Sequence, residues 1–261
     1  MRHTLGTACA VLLSALPAAA QAFAFFGQPG DPGGSPLPLQ TEGTPIVWPD
    51  SRARVAMTMT FGGDFDASMR DAMQTSWNAV GTRLQFQEGL TASQPCATNG
   101  VNVAAWSDEV CGGGAFGDAL AITLVTHTRR GGVWEISDTD ILLDRNRSWI
   151  PAGDPQPGRH DFRRVIIHEL GHALGLEHPD EVPGHSSVVA IMNSRVSAIT
   201  TLQDDDIAGL NYLYGGGSSR SPSRGDSGGA DAALPLLALL GWGLARRRPP
   251  RGRSAAVRGG L

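Results

Sequence analysis

The chain has 261 residues, of which 41% are hydrophobic and 18% are charged. These values are typical of a globular protein with one domain or two small ones, and they exclude a largely disordered chain. The formal net charge of −4 conceals an asymmetry, because residues 45–214 hold 12 Arg against 21 Asp plus Glu, whereas residues 215–261 hold 8 Arg against 2 Asp. The acidic main part argues against nucleic acid as a partner. The absence of Lys, with abundant Ala and Gly, indicates a GC-rich coding sequence and hence a bacterial source.

Residues 1–24 are predicted to be an export signal. A short basic start precedes an apolar run from Ala8 to Leu16, and small residues follow it. Cleavage is expected after Ala20, Ala22 or Ala24. The alternative, a buried N-terminal helix, fits poorly because Pro17 would interrupt it.

Residues 25–44 are rich in Gly and Pro and are predicted to form a flexible leader before one folded domain of residues 45–215. Within that domain, alternating apolar residues predict strands, and apolar residues three or four apart predict helices. The strands are predicted at Arg54–Phe61, Leu84–Gln87, Val101–Trp106, Ala119–Val125 and Ile136–Leu143. The helices are predicted at Ala67–Gly81 with Asp66 as its cap, at Phe162–Leu174 with Asp161 as its cap, and at Gln203–Leu213. This order of elements predicts an α+β domain.

Residues 168–178 read HELGHALGLEH, with three His, two Glu and two Gly. His168 and His172 are four residues apart, so on a helix they project from the same face, one turn apart. Gly175 can end the helix in a left-handed conformation, and the chain can then bring His178 to the same point. Three imidazoles on zinc leave a fourth position for water, which is the arrangement of a catalytic site, and Glu169 beside it could act as a base. An ordinary amphipathic helix is the alternative, and the number of fixed positions argues against it.

Removal of the signal removes Cys9 and leaves Cys96 and Cys111. An even pair in an exported protein predicts a disulfide that closes a short loop. Neither cysteine lies in a CxxC motif, so a second zinc site built on them is not expected.

HELGHALGLEH resembles the zinc signature of the metzincin clan of metallopeptidases, and AIMNS resembles the Met-turn that this clan has downstream of the third His. Within the clan the chain most resembles the matrixins, the family of the matrix metalloproteinases, through DFRRVIIHELGHALGLEH and the closing LQDDDIAGLNYLYG. The resemblance covers residues 45–215. It implies the metzincin fold, which has a twisted, mostly parallel sheet with an antiparallel edge strand, an active-site helix and a C-terminal helix.

The resemblance also implies a role for each matching residue. One catalytic Zn²⁺ would be bound by His168, His172 and His178, with Glu169 as the general base and Met192 as a structural floor beneath the metal. An extended polypeptide substrate would pair with the edge strand at Ala119, Leu120, Ala121 and Ile122. Asp205 and Asp206 would hold the Met-turn region in place.

The sequence departs from the matrixin pattern at two positions. Pro179 stands where matrixins more often have Ser, and Asn193 follows Met192 where the family commonly has Tyr-Pro. These departures leave open the shape of the specificity pocket, which depends on the loop of residues 194–201.

Other acidic and His residues have a structural and a functional interpretation. Asp138, Asp140 and Asp144 could form a Ca²⁺ site, but a solvated strand end is the preferred interpretation. The remaining His residues lack metal-ligand spacing and are expected at the surface: His127, His160 and His185.

The expected function is that of an exported zinc metalloendopeptidase, which acts as a monomer on polypeptide substrates. The alternative is a catalytically inactive zinc-binding adhesin or surface module that retains the fold.

Residues 216–229 are predicted to be a Gly/Ser/Arg linker, and residues 230–261 hold an apolar segment and an Arg-rich tail. The segment ALPLLALLGWGLA has 13 residues, whereas a bilayer span needs about 20. The pattern resembles bacterial C-terminal sorting tags of the Gly-Gly type, which a membrane-bound protease removes. Export machinery and such a sorting protease are therefore expected partners, with transient membrane anchoring before the protein is secreted or attached to the surface. A tail without a sorting role is the alternative.

Overall fold

A computed structural model describes residues 22–30, 34–153 and 157–215, together with the backbone of residues 236–240 and 257–258. Residues 1–21 of the predicted export signal and the whole predicted linker of residues 216–229 lie outside the described residues. Among the described residues, no helix has the length and apolar character needed to cross a membrane.

The strands and helices follow in chain order. The strands are β1 (Ala24–Gly27), β2 (Leu37–Gln40), β3 (Arg54–Met59), β4 (Gln85–Glu88), β5 (Asn102–Ser107), β6 (Ala121–Arg130), β7 (Val133–Asp144), β8 (Trp149–Ile150), β9 (His160–Asp161), β10 (Leu176–Glu177), β11 (Leu236–Leu240) and β12 (Val257–Arg258). The α-helices are α1 (Gly63–Ala72), α2 (Phe162–Ala173) and α3 (Asp204–Tyr214). Shorter helical turns lie at Met73–Trp77, Asn78–Val80 and Pro179–Glu181.

The central sheet has the strand order β12-β11-β6-β7-β5-β3-β4. Strands β3, β4, β5 and β7 run parallel to one another, and β6 runs antiparallel to β7. The two faces of β7 pack into different clusters, because successive side chains of a strand point to opposite faces. Ile141 and Leu143 lie in the main core, whereas Leu142 between them packs with Val110 and Ile122 in a smaller cluster. The predicted α+β class, with a mostly parallel sheet and an antiparallel strand, is confirmed.

The antiparallel strand differs in position from its prediction. It begins at Ala121 and runs to Arg130, because a turn at Gly131 and Gly132 pairs it with β7 along its whole length. Ala119 and Leu120 therefore precede the strand. Leu120 still contributes its carbonyl, which accepts a hydrogen bond of 2.9 Å from the Asp144 N–H.

The helix predicted at Ala67–Gly81 begins earlier than expected. Helix α1 starts at Gly63 and continues through two shorter turns to Val80. Asp66 lies inside its first turn, and its Oδ1 accepts the N–H of Phe61 at 3.0 Å. The side chain thus fixes the preceding strand-to-helix turn, and it does not cap the helix end. Gly81, with φ of 78°, ends the helical stretch.

The segment predicted as a flexible leader is partly ordered. Strand β1 pairs antiparallel with β10 and with β2. Phe23, Ala24 and Phe25 are buried in the main core or its margin, and the Ala22 N–H donates to Asp205 Oδ1 at 2.7 Å. Residues 22–24 belong to the predicted export signal, whereas β2 and most of β1 lie within the predicted leader. The Gly and Pro content did not reveal that the apolar residues of these strands would pair and be buried.

The acidic cluster is not a solvated strand end. Asp138, Asp140 and Asp144 are 3%, 4% and 6% exposed. Asp138 Oδ2 accepts the N–H groups of Asn99 and Gly100, and the two oxygens of Asp140 accept those of Cys96 and Val103. Burial and the Asp138 carboxylate raise the pKa of Asp140 to about 7. These two carboxylates bind backbone donors of the loop of residues 96–103, which a disulfide between Cys96 and Cys111 also holds.

The described part of the C-terminal tail lies beside the central sheet. Strand β11 pairs antiparallel with β6, with Leu236 opposite His127 and Leu239 opposite Leu124. Strand β6 is therefore the outermost strand only of residues 22–215, and its residues 124–127 have a neighbour on that side.

Candidate metal centre

Helix α2 carries the first two histidines. Asp161 caps it, since its Oδ1 accepts the N–H of Arg164 at 3.2 Å. His168 and His172 are both 0% exposed, and their Nε2 atoms are 3.0 Å apart. The four-residue spacing thus places both nitrogens at one point, as the helical period requires.

Gly175 brings the third histidine to the same point. Its φ of 97° ends the helix, and a Cβ here would lie 3.2 Å from the carbonyl oxygen of Ile46 and 3.1 Å from Ile136 Cδ1. A side chain at this position would be both strained and crowded. The chain then reverses through β10, and His178 Nε2 lies 3.2 Å from the Nε2 of His168 and 3.1 Å from that of His172.

Hydrogen bonds on the far side of the rings fix the orientation of the first two imidazoles. His168 Nδ1 lies 2.8 Å from the carbonyl oxygen of Ile191, and His172 Nδ1 lies 2.8 Å from that of Leu176. A carbonyl oxygen only accepts, so each Nδ1 carries the proton and each Nε2 presents its lone pair. Burial, followed by the neighbouring imidazoles, lowers the pKa of His168 well below its usual value and that of His172 to about 3.

Converging lone pairs fit a divalent cation. Three nitrogens bound tetrahedrally to one zinc ion at about 2.1 Å are roughly 3.4 Å apart, and the observed separations of 3.0–3.2 Å are close to that value. Among the described residues, the group of three or more potential ligands that could hold a metal ion consists of His168, His172 and His178. Asp138, Asp140 and Asp144 do not form such a cluster.

Glu169 follows His168 on helix α2, and its side chain is buried. It is 0% exposed, and its Oε2 accepts a hydrogen bond of 2.6 Å from Thr123 Oγ1. Its other oxygen, Oε1, is buried without a hydrogen-bond partner. Burial raises the pKa of this carboxyl to about 8, and the Thr123 hydrogen bond opposes that shift. Sequence reasoning missed Thr123, although it is a single polar residue in the apolar run Ala119–Val125.

Met192 packs directly under the metal helix. A Cβ built on Gly171, between Leu170 and His172, would lie 2.2 Å from Met192 Sδ and 2.8 Å from Trp77 Cζ2. Glycine therefore permits the close approach of the Met-turn, residues 190–194, to α2. Met192 therefore packs against α2 at Gly171, between His168 and His172.

The two acidic residues of α3 have different partners. Asp206 accepts the N–H groups of Ile191 and Met192 at 2.9 and 3.1 Å, and that of Gln203 at 2.7 Å. It is therefore the residue that anchors the Met-turn. Asp205 instead accepts the N–H of Ala22.

The loop that was expected to shape a specificity pocket is tied to α2 by a buried arginine. Arg164 is 2% exposed, and its Nε donates to the Ile199 carbonyl at 2.8 Å while Nη2 reaches Ser197 Oγ at 3.4 Å. Asp180, the residue after Pro179, accepts the N–H and hydroxyl of Ser194 at 2.8 Å each. Both ends of the loop are thus held by polar contacts.

Of the other histidines, His127 departs from its prediction. It is 2% exposed, its ring packs edge-on against Phe26, and burial lowers its pKa to about 4. It is a neutral core residue, and the expectation of a surface position was wrong. His160 and His185 are partly exposed.

Comparison with known proteins identifies the family. Residues 62–215 match the matrixin family over more than half of the chain. The chain belongs to the matrixin family. Its matrixin relatives include metalloendoproteinase 2-MMP of Arabidopsis thaliana, 34% identical over 109 residues, which are 35% of this chain and 27% of that protein. Stromelysin-3 of Homo sapiens is 31% identical over 119 residues, which are 44% of this chain and 22% of that protein.

The matrixin relatives are longer proteins, and this chain spans about a quarter of their length. Among solved structures, high choriolytic enzyme 1, a hatching enzyme zinc-protease from Oryzias latipes, aligns with a TM-score of 0.35 and 13% identity. That alignment covers 65% of this chain and 94% of the other.

Proposed function

We propose that this matrixin is a zinc-dependent endopeptidase. The observation that carries the proposal is the convergence of three Nε2 atoms within 3.0–3.2 Å, with the buried Glu169 in the same turn of helix. Membership of the matrixin family supports it.

The zinc ligands would be His168, His172 and His178. When bound, zinc lowers the pKa of a coordinated water towards about 7 and polarises a carbonyl oxygen. The hydrogen bonds to the Ile191 and Leu176 carbonyls keep the first two rings in the tautomer that a metal requires.

Glu169 would act as the general base. It accepts the proton of the attacking water as the scissile carbonyl becomes tetrahedral, and it then transfers that proton to the leaving amine. Its Oε1 is the oxygen free for this transfer, because Oε2 accepts from Thr123. A cation held by the neighbouring histidines favours the ionised carboxylate and opposes the shift that burial causes.

The substrate would be an extended polypeptide that pairs with β6 at Ala121 and Ile122. Strand pairing recognises the backbone, so it suits a peptidase that cuts within chains. The described part of β11 pairs with residues 124–127 of β6, beyond these two residues.

A quenched-fluorescence peptide assay with and without a chelator tests the proposal. The zinc-loaded chain should cleave the peptide, and Glu169→Ala should bind one zinc yet lose nearly all activity. Glu169→Asp is a matched control, since it keeps the charge and shortens the side chain. A zinc-loaded wild-type chain that cleaves neither casein nor a peptide library would support the alternative, a zinc-binding module without catalysis.

We also propose export of this chain from a bacterial cell as a monomer. The signal-like residues 1–24 and the Cys96–Cys111 disulfide support an oxidising compartment. Cleavage after Ala20 fits best, because it keeps both Ala22, whose N–H donates to Asp205 Oδ1, and the buried Phe23. Cleavage after Ala22 would remove Ala22, and cleavage after Ala24 would remove both. Intact-mass measurement of the exported protein gives both ends. An N-terminus at Phe23 or Phe25 would contradict cleavage after Ala20.

The C-terminal tail would serve as a sorting tag that a membrane-bound protease removes. The apolar segment followed by Arg246, Arg247 and Arg248 supports this proposal. The same mass measurement tests it, since an exported chain that still ends at Leu261 would count against removal.

A further inference from the structure

Thr123 makes a contact with Glu169 that the expected zinc-site chemistry does not include. Its hydroxyl lies 2.6 Å from Glu169 Oε2 and 3.2 Å from the carbonyl oxygen of the same residue. Both residues are 0% exposed. Thr123 lies on β6 and Glu169 on α2, 46 residues later, so the contact joins the antiparallel strand to the metal helix.

The direction of this hydrogen bond follows from chemistry. As a general base Glu169 is ionised, and an ionised carboxylate only accepts, whereas a threonine hydroxyl has one proton to donate. The distance of 2.6 Å to Oε2 is typical of a charge-assisted O–H···O⁻ bond. The carbonyl at 3.2 Å is the weaker of the two acceptors. The hydroxyl proton therefore points at the carboxylate.

This contact makes the two oxygens of Glu169 unequal. Oε2 is held by Thr123, and Oε1 is buried without a partner. A carboxylate held at one oxygen cannot rotate freely about its terminal bond. We propose that Thr123 is a positioning residue that fixes the Glu169 carboxylate so that Oε1 receives the proton of the attacking water. This inference rests on the proposed peptidase function.

A merely structural role for Thr123 would have different consequences. If the hydroxyl only joined β6 to α2, its loss would lower the stability of the chain and leave the turnover of correctly folded, zinc-loaded protein unchanged. A positioning role instead lowers kcat while KM and zinc content stay as in the wild type. The two roles are therefore separated by kinetic measurements on protein of known zinc content.

The test uses Thr123→Val, which keeps the branched side chain of a strand residue and removes the hydroxyl, with Thr123→Ser as a control that keeps it. The full chain is used throughout. Misplacement of a catalytic group by about 1 Å can cost about 100-fold in rate, so kcat of Thr123→Val should fall by about 10- to 100-fold. KM should stay within about twofold, since the removed contact does not touch the peptide. Thr123→Ser should restore most of the rate. Equal kcat for wild type and Thr123→Val, or equal loss in both variants, would overturn the proposal.

A second measurement does not depend on activity. Crystal structures of the zinc-loaded wild type and Thr123→Val should show the carboxylate of Glu169 in different orientations. The same orientation in both would overturn the positioning role, even if the wild type cleaves no peptide. Failure of the proposed peptidase function would appear separately, as a wild type that binds zinc, holds Glu169 through Thr123 and remains inactive. If Thr123→Val does not fold, Thr123→Ala supplies the same comparison with a smaller side chain.

Discussion

Gly171 lies inside helix α2, where a glycine lowers helix stability but leaves room for Met192 and Trp77. The substitution Gly171→Ala tests which of these two effects on stability is larger. Alanine is favoured over glycine by about 1 kcal/mol in a helix interior. Here, however, the added Cβ would lie 2.2 Å from Met192 Sδ and 2.8 Å from Trp77 Cζ2. Overpacking of a buried site costs about 1–3 kcal/mol. Both neighbours are buried, and the indole Nε1 of Trp77 is fixed by a bond of 2.8 Å to the Ile167 carbonyl. We therefore expect a net loss of up to about 2 kcal/mol in the free energy of unfolding.

The same substitution should weaken zinc binding. Displacing Met192 moves the adjacent Ile191, whose carbonyl holds His168 Nδ1 at 2.8 Å. Loss of such an outer contact typically costs about 10- to 100-fold in metal affinity, and we expect a rise of about tenfold in the zinc Kd.

Two assays measure these effects. Denaturant unfolding of the metal-free chain gives the stability, and competition with a chromophoric chelator gives the zinc Kd. Gly171→Ala should cost less in a Met192→Ala background, because one of the two clashes is then relieved. A variant as stable as the wild type, with unchanged zinc Kd and no coupling to Met192, would refute the reasoning.

Three further predictions concern groups away from the ligands. His127 has a pKa of about 4 in the fold and about 6.5 in an unfolded chain, so its contribution to stability is complete above pH 6.5 and is lost as the pH falls towards 4. Lowering the pH from 7.5 to 5.5 should cost about 1 kcal/mol through this residue, measured as the difference between wild type and His127→Gln in denaturant unfolding. Asp206→Ala leaves three N–H groups without their acceptor. It should lower the free energy of unfolding by about 3 kcal/mol or more and weaken zinc binding. Asp206→Asn keeps one oxygen and should lower the stability less. Replacing Cys96 and Cys111 by Ser opens a loop with a sequence separation of 15 and should cost about 3 kcal/mol, seen as a lower Tm with unchanged zinc content.

Each of these predictions has a contradicting result. Identical pH slopes for wild type and His127→Gln would show that folding does not shift the pKa of this imidazole. Wild-type stability of Asp206→Ala would mean that the Met-turn does not depend on α3. A Tm unaffected by reductant would contradict the role of the disulfide.

The convergence of the three histidines was predictable from the sequence because its geometry is local. His168 and His172 share a face through the helical period, Asp161 caps the same helix, and Gly175 supplies the positive φ that the reversal needs. Each inference needed only the residues within about one or two turns.

The contacts that complete the site come from distant parts of the chain. Thr123 reaches Glu169 across 46 residues, and Asp140 was read as solvated although it binds backbone donors 37 and 44 residues away. The periodicity of apolar residues indicates which side chains face the core, but it does not identify the distant polar group with which a buried side chain forms a hydrogen bond. The same limit explains the misplaced start of β6, whose length depends on pairing with β7.

The N-terminal strand has a consequence for where the folded unit begins. Strand β1 pairs Ala24 with Glu177 and Phe25 with Leu176. The partner strand β10 contains Leu176, whose carbonyl oxygen holds His172 Nδ1, and it directly precedes His178. A recombinant chain started at Pro45, where the sequence placed the domain boundary, would expose this reversal and leave His178 on an unsupported segment. A folded unit that keeps β1 paired with β10 therefore starts near residue 22.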